Sequence, residues 1–265
     1  MLLAKSCAKQ FNVKNGTLML GTLNEYRETE DEQIGDKREG KIQFNLRFDG
    51  DVTISKQWFN TLQPGGWQIG DVKPINLPGY TAAHFHHVRT VGIDEHTVTL
   101  RDSSATIWRE ALNCFIFCMS EVKKTYECID IFPTYDDYWY VNSLNAQHFG
   151  EMIGRTLFDK IQSGRASGNH IIPANVDITN LKIHMRHELV KYTDRDILIT
   201  SETAYTLDAL INQLRDMAFV KPTLFKKEKE YRFHYTILSN NKIIEPLVNR
   251  LVINSEHLVR HVFSV

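Results

Sequence analysis

The segment Val220–Leu238, VKPTLFKKEKEYRFHYTIL, decides how the chain is read, because it passes in one step from a charge run to an alternating pattern. From Tyr231 onward, Tyr231, Phe233, Tyr235 and Ile237 alternate with Arg232, His234 and Thr236. Period two sustained over this length predicts a strand with one buried face. If the extended conformation reaches back to Glu228, then Glu228, Glu230, Arg232 and His234 all project from the face opposite the apolar row. Two carboxylates would stand beside an arginine. Their mutual repulsion raises the proton affinity of one while the guanidinium opposes this, so the pair suits one proton-accepting and one anionic role. The alternative for Lys226 to Glu230 is a solvated last helical turn in which Lys226 and Glu230 pair at i, i+4.

Working outward, GTLMLGTL (16–23) predicts a strand, and KIQFNLRFDGDVTI (41–54) predicts a hairpin turning at Asp49-Gly50-Asp51 with Ile42, Phe44, Leu46 and Phe48 on its buried face. TVTL (97–100) and NCFIFCMSE (113–121) follow as strands, the second apolar on both faces and therefore central in a sheet. SLNAQHFGEMIGRTLFDKIQSG (143–164) carries Phe149, Ile153, Leu157 and Ile161 at four-residue steps between a polar start and a closing glycine, which predicts an amphipathic helix. A second helix is expected over 206–219 with Thr206 as its cap. Further strands are expected at 180–185, 231–238, 250–253 and 259–265. Residues 60–82 hold much of the proline and glycine and read as an irregular excursion. With strands at both ends, two main helices between and no regular βαβ alternation, the expectation is a single α+β domain over residues 1–265 around one core.

Composition narrows the function classes. With 42% hydrophobic and 24% charged residues and no apolar run of membrane-spanning length, the chain reads as globular and not integral to a membrane. No secretion signal is legible at the start, so a cytoplasmic location is the default expectation. The four cysteines, Cys7, Cys114, Cys118 and Cys128, lack zinc or redox spacing and are expected to be reduced core residues. A formal charge of -1 excludes a globally basic nucleic-acid binder and leaves room only for a local positive groove.

The pattern KPTLFKKEKEYRF (221–233) resembles the C-terminal signature of a broad bacterial and prophage family of uncharacterised domains, whose members also carry a strand ending like FCMSE (117–121) and an aromatic segment like YDDYWY (135–140). The same layout looks like the ADP-ribosyltransferase fold, with a split β-sheet core. The resemblance implies that NAD is consumed and that Glu230 stabilises the oxocarbenium-like centre formed when nicotinamide leaves, with Glu228 orienting or deprotonating the acceptor. It implies cofactor contacts from Tyr26 and Arg27 of GTLNEYRE (21–28), from Ser120, from Tyr138 and from Lys221. The sequence departs from the fold's pattern in lacking a Ser-Thr-Ser strand. The implied role is a toxin-like effector of a toxin–antitoxin or phage-defence system, modifying RNA, single-stranded DNA or protein, with an antitoxin protein as a partner.

Other constellations are weaker. Glu30, Asp36 and Glu39 could hold Mg²⁺ for a nuclease, but a solvated acidic loop explains them as well. His84, His86, His87 and His96 invite a zinc reading, but without a partner cysteine or fixed carboxylate they read as ordinary histidines, and no metal is expected. HELVKY (187–192) fails the H-E-x-x-H template, and no P-loop, dinucleotide fingerprint or nucleophile elbow is present. The four tryptophans read mainly as core, with Tyr138, Trp139 and Tyr140 the candidate stacking cluster. A non-catalytic binding protein, in which Glu228 and Glu230 merely pair with Arg232 and nearby lysines, is the alternative function.

Overall fold

The computed structural model describes residues 1–28, 40–63, 66–204 and 206–264. The chain is mixed α+β and divides into two compact units: Met1–Glu39, Asn113–Lys191 and Leu224–Val265 form the first, Gly40–Leu112 and Tyr192–Thr223 the second. In place of the one expected core, apolar side chains gather around two principal centres, one in each unit. Strands and helices are numbered in chain order.

The first unit is built on an eight-stranded sheet. Its run is β14 (Lys242–Ile244), β13 (Glu230–Ser239), β7 (Phe115–Val122), β1 (Leu2–Cys7) and β8 (Asp137–Asn142). To this β9 (Leu181–Leu189) adds on β13, β2 (Thr17–Thr22) on β7 and β15 (Arg250–Asn254) on β2, all antiparallel. The doubly apolar β7 is central as expected, paired with β13, β1 and β2. Two short helices, α1 (Leu23–Glu28) and α3 (Glu127–Ile131), accompany α4 (Ala146–Ala166). Helix α4 presents Phe149, Ile153, Leu157 and Ile161 as one buried stripe, with Phe149 set 5.9 Å from Phe233 on β13. Burial of each such side chain contributes roughly 1.5–3 kcal/mol. The helix continues through Gly164 instead of stopping there. The expected strand at 259–265 is instead a 3₁₀ turn, Glu256–His261, followed by a single bridge from Phe263 to Tyr140. Leu258 and Val262 are four apart and both pack on the core, a spacing that suits a turn better than a strand.

The second unit holds a five-stranded sheet in which β3 (Lys41–Ser55) lies between β6 (Thr97–Glu110) and the parallel β11 (Asp196–Ile199), while β4 (Tyr80–His87) and β5 (Thr90–Ile93) both pair with β6. A short pair joins β10 (Lys191–Thr193) to β12 (Val220–Pro222). The expected hairpin within 41–54 is absent, because β3 runs straight through Asp49-Gly50-Asp51 as a bulge. Gly50 supplies the positive φ of 68° there, and its N–H donates to Asp102 Oδ1 on β6. The Asp-Gly signal is thus one of backbone conformation, used for an irregularity and not for a reversal. Helix α2 (Lys56–Leu62) is capped by the Ser55 hydroxyl, which accepts from Trp58 N–H. The Asn60 and Thr61 side chains of α2 then bond the backbone of Ile69, Val72 and Ile75, pinning part of the irregular excursion. Helix α5 (Thr206–Arg215) is the second expected helix, and the capping role of the Thr206 side chain lies outside the described residues.

Candidate functional site

Strand β13 sorts its side chains as its alternation requires. Phe233 and Tyr235 go to the α4 face, where the Tyr235 hydroxyl donates to Gly150 O at 3.1 Å, and Glu230 and Arg232 go to the other. Register then selects their neighbours: Glu230 pairs with Ser120 and Arg232 with Cys118 on β7. The row continues from Ser120 to Ala4 on β1 and from Ala4 to Tyr140 on β8.

The Arg232 guanidinium meets Glu230 Oε1 through both Nε and Nη2, each at 2.6 Å, with side chains only 1% and 6% exposed. The Cys118 thiol is hydrogen-bonded to the same carboxylate; burial first, then the charge of Glu230, push that thiol far up from its ordinary value. Helix α1 brings two more groups. It is anchored by the Thr22 hydroxyl, which accepts from Glu25 N–H at 3.2 Å, and by Asn113 Oδ1, which accepts from Asn24 N–H at 3.1 Å. Tyr26 is held protonated well above the ordinary phenol range, chiefly by burial and then by its electrostatic neighbours Cys118, Glu230 and Glu25, with Arg232 opposing. Glu25 is also raised, by burial, against the pull of Arg250, whose Nε contacts Glu25 Oε1. A Cβ on Gly21 would lie 2.6 Å from Glu25 Oε2 and 2.8 Å from Tyr26 Cε2, so only glycine lets α1 lay both side chains across β2. Lys5 adds a cation at the edge, donating to Cys118 O at 3.0 Å.

Of the residues singled out from sequence, Tyr26, Ser120 and Glu230 therefore come together, within the first unit. Others differ from expectation. Glu228 ends a 3₁₀ turn, Thr223–Glu228, and Lys229 has φ of 47°, so the extended row begins at Glu230 and Glu228 does not share its register. Both readings of KKEKE are partly realised: a helical turn before the strand, yet with Glu228 and Glu230 buried and not solvated. Arg27 folds back on its own helix, Nη1 donating to Asn24 Oδ1 at 2.5 Å. Tyr138 is half-buried with its hydroxyl bound to Tyr135 O, while Trp139 and Tyr140 are buried, so the stacking cluster is not an exposed platform. Lys221 is a buried residue of β12 in the second unit. Glu30, Asp36 and Glu39 lie outside the described residues.

Sequence reasoning missed Cys118, Glu25, Lys5 and Arg250. Cys118 was accessible in principle, since it stands two residues before Ser120 and must share its face. Arg250 was not, because its approach to Glu25 depends on β15 pairing with β2. Among the described residues no group of three or more His, Cys, Asp or Glu side chains is placed to hold a metal ion, and no helix is long and apolar enough to cross a membrane. No family model, curated protein or solved structure matches the chain.

Proposed function

We propose that the first unit is an NAD-consuming ADP-ribosyltransferase with a split-sheet core of that fold, and that Glu230 is its central carboxylate. The observation that supports this most is the meeting of Tyr26, Ser120 and Glu230, from three distant parts of the chain, around one buried ion pair. Buried ionisable groups with strongly shifted proton affinities concentrate where chemistry is done.

In the reaction, the bond between nicotinamide and the ribose C1′ breaks with its electron pair leaving on nicotinamide, and positive charge develops on the sugar. A carboxylate paired with Arg232 stabilises that charge electrostatically, as carboxylates do in glycoside hydrolysis. Tyr26, protonated throughout the neutral range, donates a hydrogen bond or stacks, and the Ser120 hydroxyl bonds a ribose hydroxyl. Arg27 and Tyr138, both in the first unit, would make further cofactor contacts. Glu228 takes the proton as the acceptor's nucleophile adds to C1′. The acceptor is RNA, single-stranded DNA or protein, and the cellular role is that of a toxin-like effector with an antitoxin partner.

One observation favours a second reading. Glu230 and Arg232 are almost fully enclosed, which suits an ion pair that fixes strand register in a non-catalytic binding protein. Incubation of the protein with labelled NAD and, separately, RNA, single-stranded DNA and a protein extract separates the two. Transfer of label to one acceptor class supports the transferase; absence of both transfer and nicotinamide release with every acceptor refutes it.

A further inference from the structure

The solvent face of the second unit's sheet carries a row of polar side chains whose hydrogen-bond directions are fixed from both ends. The Trp108 indole can only donate, and gives its proton to Gln43 Oε1 at 2.8 Å. Gln43 Nε2 must then donate onward, and reaches Asn45 Oδ1 at 2.9 Å. At the other end the Asp196 carboxylate only accepts, and takes a proton from Asn45 Nδ2 at 2.7 Å. The Asn45 amide is thereby oriented with Oδ1 toward Thr106, whose hydroxyl donates to it at 3.4 Å. Thr106 Oγ1 is left as an acceptor for His86 Nε2–H, 2.6 Å away.

This relay settles the tautomer of His86. With its proton on Nε2, its Nδ1 presents a lone pair, and that atom lies 3.1 Å from His84 Nε2. A bulge in β4 between Phe85 and His87 brings the two imidazoles to a centroid distance of 4.3 Å. His84 is itself steadied by stacking on Trp108, 5.1 Å between centroids. Two imidazole nitrogens, each about 2.0–2.1 Å from one ion and cis to each other, stand roughly 2.8–3.4 Å apart. His86 also lines an open groove of about 510 Å³ with Asn45, Thr106 and Asp196, which leaves room for oxygen ligands in the remaining positions.

We propose that His84 Nε2 and His86 Nδ1 form a bidentate site for a borderline divalent transition ion, Cu²⁺, Ni²⁺ or Zn²⁺, with Thr106 as the positioning residue that presents the His86 lone pair. Neutral imidazole suits these ions, and Cu²⁺ binds tightest in the series. Binding places the His84 proton on Nδ1, by exchange with solvent, so that Nε2 can present its lone pair to the ion.

Titration of the full-length protein with Cu²⁺ and Zn²⁺ in a non-chelating buffer, followed by calorimetry, tests this. One equivalent should bind at this site with Cu²⁺ tighter than Zn²⁺, and the exposed substitutions His84→Ala and His86→Ala should each remove that class of site without changing circular dichroism. Thr106→Val keeps both imidazoles but loses the orienting hydroxyl, and should weaken binding by about 10–100-fold. A wild type that binds no tighter than the His84→Ala/His86→Ala double variant overturns the site. A Thr106→Val affinity equal to wild type overturns the positioning role.

Discussion

Glu230 and Arg232 in the first unit, and Asn45 and Asp196 in the second, are all polar side chains standing on a sheet, but the first pair is sealed from water while the second faces it. Sealing makes charge expensive to remove: a buried carboxylate left without its guanidinium is far costlier than the intact pair. On the solvated face water replaces a lost partner, so order there comes from hydrogen-bond direction and little stability depends on it. Depth of burial, more than the number of polar contacts, therefore decides which polar residues hold the fold.

The comparison breaks most visibly at Arg232. Arg232→Met should destabilise the first unit by about 3–5 kcal/mol, because it strands Glu230 in the interior. Adding Glu230→Gln should recover most of that loss in a urea titration, whereas an additive double variant would mean that the two side chains do not act as a pair.

The second unit seals a charge of its own at Arg109. Arg109 is 2% exposed, with a guanidinium that donates to Pro78 O, Tyr80 O, Thr81 Oγ1 and Leu214 O at 2.6–3.3 Å. Burial lowers its proton affinity without displacing the proton at neutral pH. Arg109→Leu orphans those acceptors and should destabilise the second unit by about 2–4 kcal/mol, read as a lower urea midpoint for probes in that unit alone.

Alkali should act on the first unit, which holds all four cysteines. Burial, then Asp137, pushes the Cys7 thiol from 9.0 up to about 11. A group raised in the folded state contributes stability that is complete below its unfolded value and fades as pH climbs through the folded one. Stability of the first unit should therefore fall between pH 9 and 11, by about 2 kcal/mol from Cys7. Tyr26 and Cys118 carry the same sign. Cys7→Ala should flatten that slope in pH-dependent unfolding. The smallest effect belongs to the solvated row: Gln43→Ala should change stability by under about 1 kcal/mol.

How much was legible follows from the same distinction between local and partnered signals. The alternation of β13 and the four-residue steps of α4 are intrinsic to their segments, and both elements stand where the sequence places them. Ser120 and Glu230 could be paired in thought because each closes or opens a strongly patterned strand. What was not legible depends on a partner. The bulge at Gly50 is a bulge only because β6 runs past it, and Glu228 leaves the strand row because Lys229 turns left-handed where its N–H is taken by Lys226 O and its carbonyl by Glu121 N–H. Arg109 reads as one charged residue in a strand until the irregular segment and α5 bring carbonyls to it.

The central claim is that the sealed pair in the first unit serves chemistry as well as architecture. Nicotinamide release from NAD should be measured for wild type, Glu230→Gln, and the stability-restored Glu230→Gln/Arg232→Met variant, each with its unfolding midpoint. The account predicts turnover by wild type and a loss on the order of 100-fold or more in both variants, including the one whose stability is recovered. Turnover that returns with stability in the double variant would contradict it, leaving Glu230 as a structural partner of Arg232.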